Sequence, residues 1–151
     1  MDCHSDDKII FRPIGIFHTP FLELSEIPKK TSELRLINSR IEIFSEYLPG
    51  IDDLKGFSHL IILFHLNKSK DYKLKVVPII DNVLRGVFST RSPRRPNSIG
   101  FTVVLLDHID KNIIYIKGAD VLDGTPVIDI KPYIPESDSI ESARIGWITG
   151  K

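Results

Sequence analysis

The chain has 151 residues, enough for one domain with a real core, and its 42% hydrophobic and 26% charged content is ordinary for a soluble globular protein. Twenty basic residues balance twenty acidic ones, so a nucleic-acid partner would have to be met by a local basic patch rather than a basic body. Cys3 is the sole cysteine, which excludes an intrachain disulfide and a cysteine-rich zinc site. No apolar run suits a transmembrane helix or a signal peptide, and a cytoplasmic protein with no membrane partner and no metal is expected.

Residues 1–8 are polar and are expected to form a disordered N-terminus. The next stretch, 9–18, is rich in β-branched and aromatic residues but is interrupted by Pro13 and Gly15, which reads as an edge or bulged strand. Residues 19–39 carry Pro20 and Pro28 without periodicity and read as a long loop, a feature often tied to function. Residues 41–44 alternate as a short strand, and 46–54, with Pro49-Gly50, read as a turn or short helix. Residues 57–66 are strongly apolar, the pattern of a strand buried on both faces. Two weaker strands are expected at 72–80, despite Pro78, and at 85–89. Residues 101–109 and 113–117 flank Asp110-Lys111-Asn112 as a hairpin. A turn at 121–126 leads to a strand at 127–130, ended by Lys131-Pro132-Tyr133 and Pro135. The remaining tail, 136–151, has room for one helical turn. Seven or eight short strands and almost no long amphipathic helix suggest an all-β barrel or sandwich.

Three constellations stand out. The run 86–100 places Arg91, Arg94 and Arg95 among Pro93, Pro96 and Asn97. Arginine forks suit carboxylates and phosphates, and proline stiffens the loop that carries them. Solvated or ion-paired arginines are the plainer alternative. In 122–133, Asp123-Gly124 is a turn signal by itself. Asp129 and Lys131 alternate with Ile128 and Ile130 and so share a strand face, where they line a pocket or form a plain salt bridge. His59 and His65 share a face about 20 Å apart at ~3.3 Å per residue, too far for one metal. Ser58 and His59, as neighbours on a strand, are expected to point to opposite faces. No glycine-rich dinucleotide fingerprint and no P-loop is present, so a nucleoside ligand would not be held in the usual doubly wound way.

Gly56-Phe-Ser-His-Leu60, the arginine run 86–100, the segment 122–133 and the opening Ile14-Gly15-Ile16 through Pro20-Phe21 resemble the TrmO/TsaA-like (YaeB-like) family over about residues 10–133. That resemblance implies a mainly all-β fold, a single small β-barrel with little helix and no Rossmann unit, spanning residues 9–135. It also implies a homodimer that uses S-adenosyl-L-methionine to methylate the amino group of a threonylcarbamoyl-modified adenosine next to the tRNA anticodon. Carried over position by position, it points to Pro28, Lys29, Asn67 and Lys68 for the cofactor. Beside them, Arg91 is expected to take an anionic group of the cofactor or of the modified base, Leu106 to pack against the adenine, and the turn Leu122, Asp123, Gly124 and Thr125 to offer backbone groups and the Asp123 carboxylate to the cofactor. The family's Pro-Arg-Gln is here Pro28-Lys29-Lys30, and its His-Gln is Asn67-Lys68. Longer members carry a further C-terminal domain that helps hold tRNA. Within this frame, Asp129 is the candidate proton acceptor, and Arg94, Arg95, Lys131 and Tyr133 are candidates for RNA. Two other readings fit the same residues: a non-catalytic S-adenosylmethionine- or RNA-binding barrel, and a small-molecule methyltransferase.

Overall fold

The computed structural model describes residues 4–151. Cys3 and the first residues of the expected disordered stretch lie outside the described residues; His4–Asp7 form a turn closed by the Asp7 N–H on the His4 carbonyl at 3.1 Å. Six strands close an antiparallel barrel: β1 (Gly15–His18), β2 (Asn38–Ile43), β3 (His59–His65), β6 (Ile99–Asp110), β7 (Ile113–Lys117) and β8 (Pro126–Pro132). Their order around the barrel is β1-β2-β7-β6-β3-β8. A separate ribbon pairs β4 (Lys75–Val76) with β5 (Arg85–Gly86). The helices are single turns, α1 (Thr31–Leu34) and α2 (Pro135–Asp138), with short 3-10 segments between strands.

The period-2 alternation of the strands decides what fills the barrel. Phe17, Ile41, Ile43, Leu60, Ile62, Phe64, Val104, Leu106, Ile114, Ile116 and Val127 point inward and form one cluster. Residues 57–66 therefore correct the expectation of a strand buried on both faces. In β3, Leu60, Ile62 and Phe64 are buried, while Ile61 and Leu63 are half-buried on the outer face and His65 is exposed there. The apolar outer side chains disguise the alternation.

Two irregularities reset the phase. Between Leu106 and His108 the β6–β7 register slips by one residue, so Leu106 faces in and His108 pairs outward with Tyr115. Between Leu63 and Phe64 the β3–β8 register slips at Ile128. Without that bulge, Val127, Asp129 and Lys131 would all face the core; with it, Val127 is buried while Asp129 and Lys131 lie outside.

The expected strand at 72–80 shrinks to Lys75–Val76, and the one at 9–18 to Gly15–His18. Pro78 and Pro13 cannot donate to a ladder, and the residue before each is restricted too. The tail makes one 3-10 turn at Gly146–Ile148. Among the described residues, no helix is long and apolar enough to cross a membrane.

Candidate functional site

Three of the motif segments meet at one end of the barrel, around a cavity of ≈ 420 Å³. The apolar part of its wall is Phe64 and Leu66 at the end of β3, Val121 and Leu122 ahead of β8, and Leu24 from the long β1–β2 loop. Its rim is polar: Asn67, Lys68, Lys70, Asp71, Arg94 and Asp120. Size and lining are those of a small-molecule site, mostly apolar with a few convergent polar groups. A second cavity of ≈ 550 Å³ shares Asp120 and runs past Thr31, Arg35, His59, Val103 and Leu105.

Of the residues assigned to a cofactor, Asn67, Lys68, Leu122 and Thr125 line the first cavity. Lys68 Nζ also reaches the carbonyl of Leu22 at 3.4 Å, tying β3's exit to the long loop. Pro28 and Lys29 stand on that loop between Leu24, on the first cavity, and Thr31, on the second, and line neither. The 122–125 turn is a closed unit. The N–H groups of Asp123, Gly124 and Thr125 donate to the carbonyls of Phe21, Phe17 and Leu122 at 2.7, 2.9 and 3.3 Å. Gly124 takes a φ of +77°, which favours glycine. Asp123 Oδ1 accepts the Thr19 N–H at 2.9 Å. The Asp123 and Gly124 N–H groups and Asp123 Oδ1 thus hold the turn against β1 and the β1–β2 loop.

Leu106 points into the barrel. It is only 9% exposed and belongs to the barrel core; its neighbour Leu105, on the opposite face of β6, lines the second cavity. The three arginines part company. Arg94 is exposed at the cavity rim and meets both oxygens of Asp71 at 3.2 and 3.3 Å. Arg95 turns inward: its Nη1 donates to the carbonyls of Thr90, Val87 and Ser92 at 2.8, 3.2 and 3.3 Å. It thereby caps its own loop from within. Arg91 is exposed, with its guanidinium 5.6 Å from the centre of the Phe101 ring on the barrel's outer face, and it does not line the cavity.

Asp129 and Lys131 form a salt bridge at 2.8 Å, the plainer of the two readings. The Asp129 hydrogen bond raises the Lys131 ammonium above the ordinary lysine value. Asp129 borders a different cavity, beside Tyr47 and Leu54, so its placement does not support the role of proton acceptor at the first. Tyr133 is half-buried, edge-on to His59 with centroids 6.4 Å apart. Ser58 and His59 do not point apart: Ser58 Oγ lies 2.8 Å from His59 Nδ1, because Ser58 precedes the first residue of β3. Among the described residues no group of His, Cys, Asp and Glu has the placement of a metal site. Asp71 and Asp120, on the rim, were missed; their one signal was proximity, since Asp120 stands two residues before Leu122 and Asp71 three after Lys68.

Residues 16–139 match the family described as the tRNA-methyltransferase O N-terminal domain. A probable S-adenosyl-L-methionine-binding protein of Pyrococcus abyssi is 45% identical over 93% of this chain and 76% of its own length. The human tRNA (adenine(37)-N6)-methyltransferase is 38% identical over 87% of this chain but only 32% of its own. The crystal structure of TrmO from Pseudomonas aeruginosa superposes with a TM-score of 0.79 at 31% identity, over 93% of this chain and 63% of that one.

Proposed function

This chain belongs to the tRNA-methyltransferase O N-terminal domain family, and we propose that it transfers a methyl group from S-adenosyl-L-methionine to the N6 amino group of an adenosine in tRNA. The observation that carries the reading is the cavity at the barrel end, where 64–71, Arg94 and 120–125 converge. Its chemistry suits the cofactor. Phe64, Leu66, Val121 and Leu122 offer apolar surface to an adenine and an aliphatic chain, while Lys68 or Lys70 would face a carboxylate and Asp71 an ammonium. When bound, the cofactor supplies an electrophilic methyl group on its sulfonium.

The residues' contribution is chiefly positioning, as an in-line transfer demands. Asp120 lies at the join of the two cavities and, among the described residues, is in no ion pair. It is the carboxylate placed to accept a hydrogen from the adenosine amino group, in place of Asp129. The neutral chain meets RNA through a local patch: exposed Lys68, Lys70 and Arg94 stand on the rim, and Lys73, whose N–H donates to the Arg94 carbonyl, stands beside it. The expected substrate is the threonylcarbamoyl-modified adenosine next to the anticodon, and the expected compartment is the cytoplasm.

The active form is a homodimer. Ile99, Phe101, Val103 and Leu105 are exposed on the outer face of β6, next to Ile61 and Leu63 of β3. Such a stripe is the kind of apolar patch that marks an association surface. Phe101→Glu is expected to give monomers in sedimentation; a variant that remains dimeric removes this face from the interface.

Radiolabelled methyl transfer to total tRNA, from cells with and without the threonylcarbamoyl group, tests the function directly. Transfer confined to the modified pool is expected. Absence of cofactor binding by calorimetry would overturn the reading.

A further inference from the structure

Residues 140–151 lie beyond the stretch that matches the family, and their apolar side chains bury little: Ile140 and Ile145 are 74% and 58% exposed. The tail is held instead by directed contacts at Trp147 and Lys151. The indole Nε1–H of Trp147 donates to the carbonyl of Ser89 at 2.8 Å. The Arg85 guanidinium lies 4.6 Å from the centre of the indole ring, a cation–π distance. Asp81 accepts from that guanidinium at 2.7 Å, and Lys151 Nζ approaches the same carboxylate oxygen at 3.6 Å. The tail thus closes on both ends of the segment 81–89.

That segment feeds the arginine loop. Ser89 ends the 3-10 turn Val87–Ser89, two residues before Arg91. Val87 is buried and its N–H is fixed to the Leu74 carbonyl at 3.0 Å; on the far side Arg95 caps Val87, Thr90 and Ser92. The Ser89 carbonyl is the point between these anchors, and Trp147 holds it.

We propose that Trp147 is a positioning residue: by holding the Ser89 carbonyl and stacking under Arg85, it fixes the base from which Arg91 and Arg94 reach cofactor and tRNA. The loop's part in that site rests on the function proposed above. The loop itself is otherwise short of apolar support, since Phe88 is exposed and Arg91 and Arg94 point outward. A hydrogen bond from a half-buried indole restrains such a segment at a cost in entropy already met by the tail's other contacts.

The test uses the full chain with Trp147→Phe, which keeps a ring under Arg85 but removes the N–H donor, and Trp147→Ala, which removes both. Hydrogen exchange of the Thr90 and Ser92 amides is expected to quicken in the order wild type, Phe, Ala, while β3 and β7 amides keep their protection. S-adenosylmethionine affinity and the KM for tRNA are expected to weaken by about fivefold in the Phe variant, the factor that one neutral hydrogen bond supplies. Unchanged exchange at Thr90 and Ser92 in both variants overturns the clasp. Quickened exchange with unchanged affinity and KM overturns the positioning role. If the Ala variant fails to fold, the Phe variant and Asp81→Asn decide the same points. A wild-type chain that binds no cofactor would count against the proposed function, and the exchange measurement would still decide the clasp.

Discussion

The ring of Phe64 lies over Gly100, its partner across the β3–β6 ladder, so closely that a Cβ on Gly100 would stand 2.1 Å from Phe64 Cε2. The glycine is required by this close approach, which lets Phe64 fill the barrel end, meet Phe17 edge-on at 5.7 Å and still form the cavity wall. Gly100→Ala is expected to overpack this layer and cost about 1–3 kcal/mol. For a domain of this size that lowers the thermal midpoint by roughly 2–4 °C per kcal/mol. Calorimetry checks it, and an unchanged midpoint would show that Phe64 moves aside freely.

The separation of Arg94 from Arg95 predicts two different phenotypes from adjacent arginines. Arg94 is at the rim and is paired only with an exposed aspartate, so Arg94→Ala is expected to weaken tRNA binding and reduce the salt slope by about 0.7–0.9, one phosphate contact. Arg95→Ala takes the side-chain donor from the Thr90 and Ser92 carbonyls and one of three donors from that of Val87. It is expected to lower stability, with Arg95→Lys recovering only part because an ammonium lacks the planar fork. Filter binding at several salt concentrations and thermal melts separate the two; an equal change of salt slope in both variants would refute the division.

The same pair marks the limit of what the sequence makes legible. Residue type announces that a proline-framed arginine loop holds something, but not whether its own carbonyls or an external anion fill each fork. The barrel and its hairpin follow from alternation and turn residues, since each strand's inner face is a local pattern. The surroundings of Leu106 and Asp129 were less legible. Their side-chain directions depend on strand phase, and β8 carries a bulge that no local signal announces. Asp71 and Asp120 were illegible because the cavity is made by segments some fifty residues apart in sequence.

The Asp81 carboxylate is held below its ordinary value, first by the hydrogen bond from Arg85, then by the Val83 N–H, with the charges of Arg85 and Lys151 adding to both. A carboxyl depressed in the folded state stabilises it above the unfolded value of about 3.9, and that contribution disappears as pH falls through the lower, folded value. Acidification through that range is expected to release Arg85 and loosen Trp147, the chain's one tryptophan. Its fluorescence is expected to change below about pH 3.9 in the wild type, and Asp81→Asn is expected to show the released signal already at neutral pH. Matching acid limbs in the two proteins would remove Asp81 from the transition.

Asp123 joins two segments that the sequence separates by a hundred residues: its Oδ1 accepts the Thr19 N–H, while its own N–H donates to the Phe21 carbonyl. Thr19 Oγ1 completes the joint by donating to the Val121 carbonyl at 2.8 Å. This joint sets the β1–β2 loop, and with it Leu24, against the cavity. Asp123→Ala leaves a half-buried N–H unpaired and is expected to cost about 1–3 kcal/mol. Asp123→Asn keeps a carbonyl acceptor at the same place and is expected to recover most of that stability. A residue acting only on bound cofactor would behave differently: both variants would melt like the wild type without ligand and would differ only in its presence. Thermal melts with and without S-adenosylmethionine therefore distinguish a joint from a ligand contact, with the larger loss expected in the ligand-free Asp123→Ala protein.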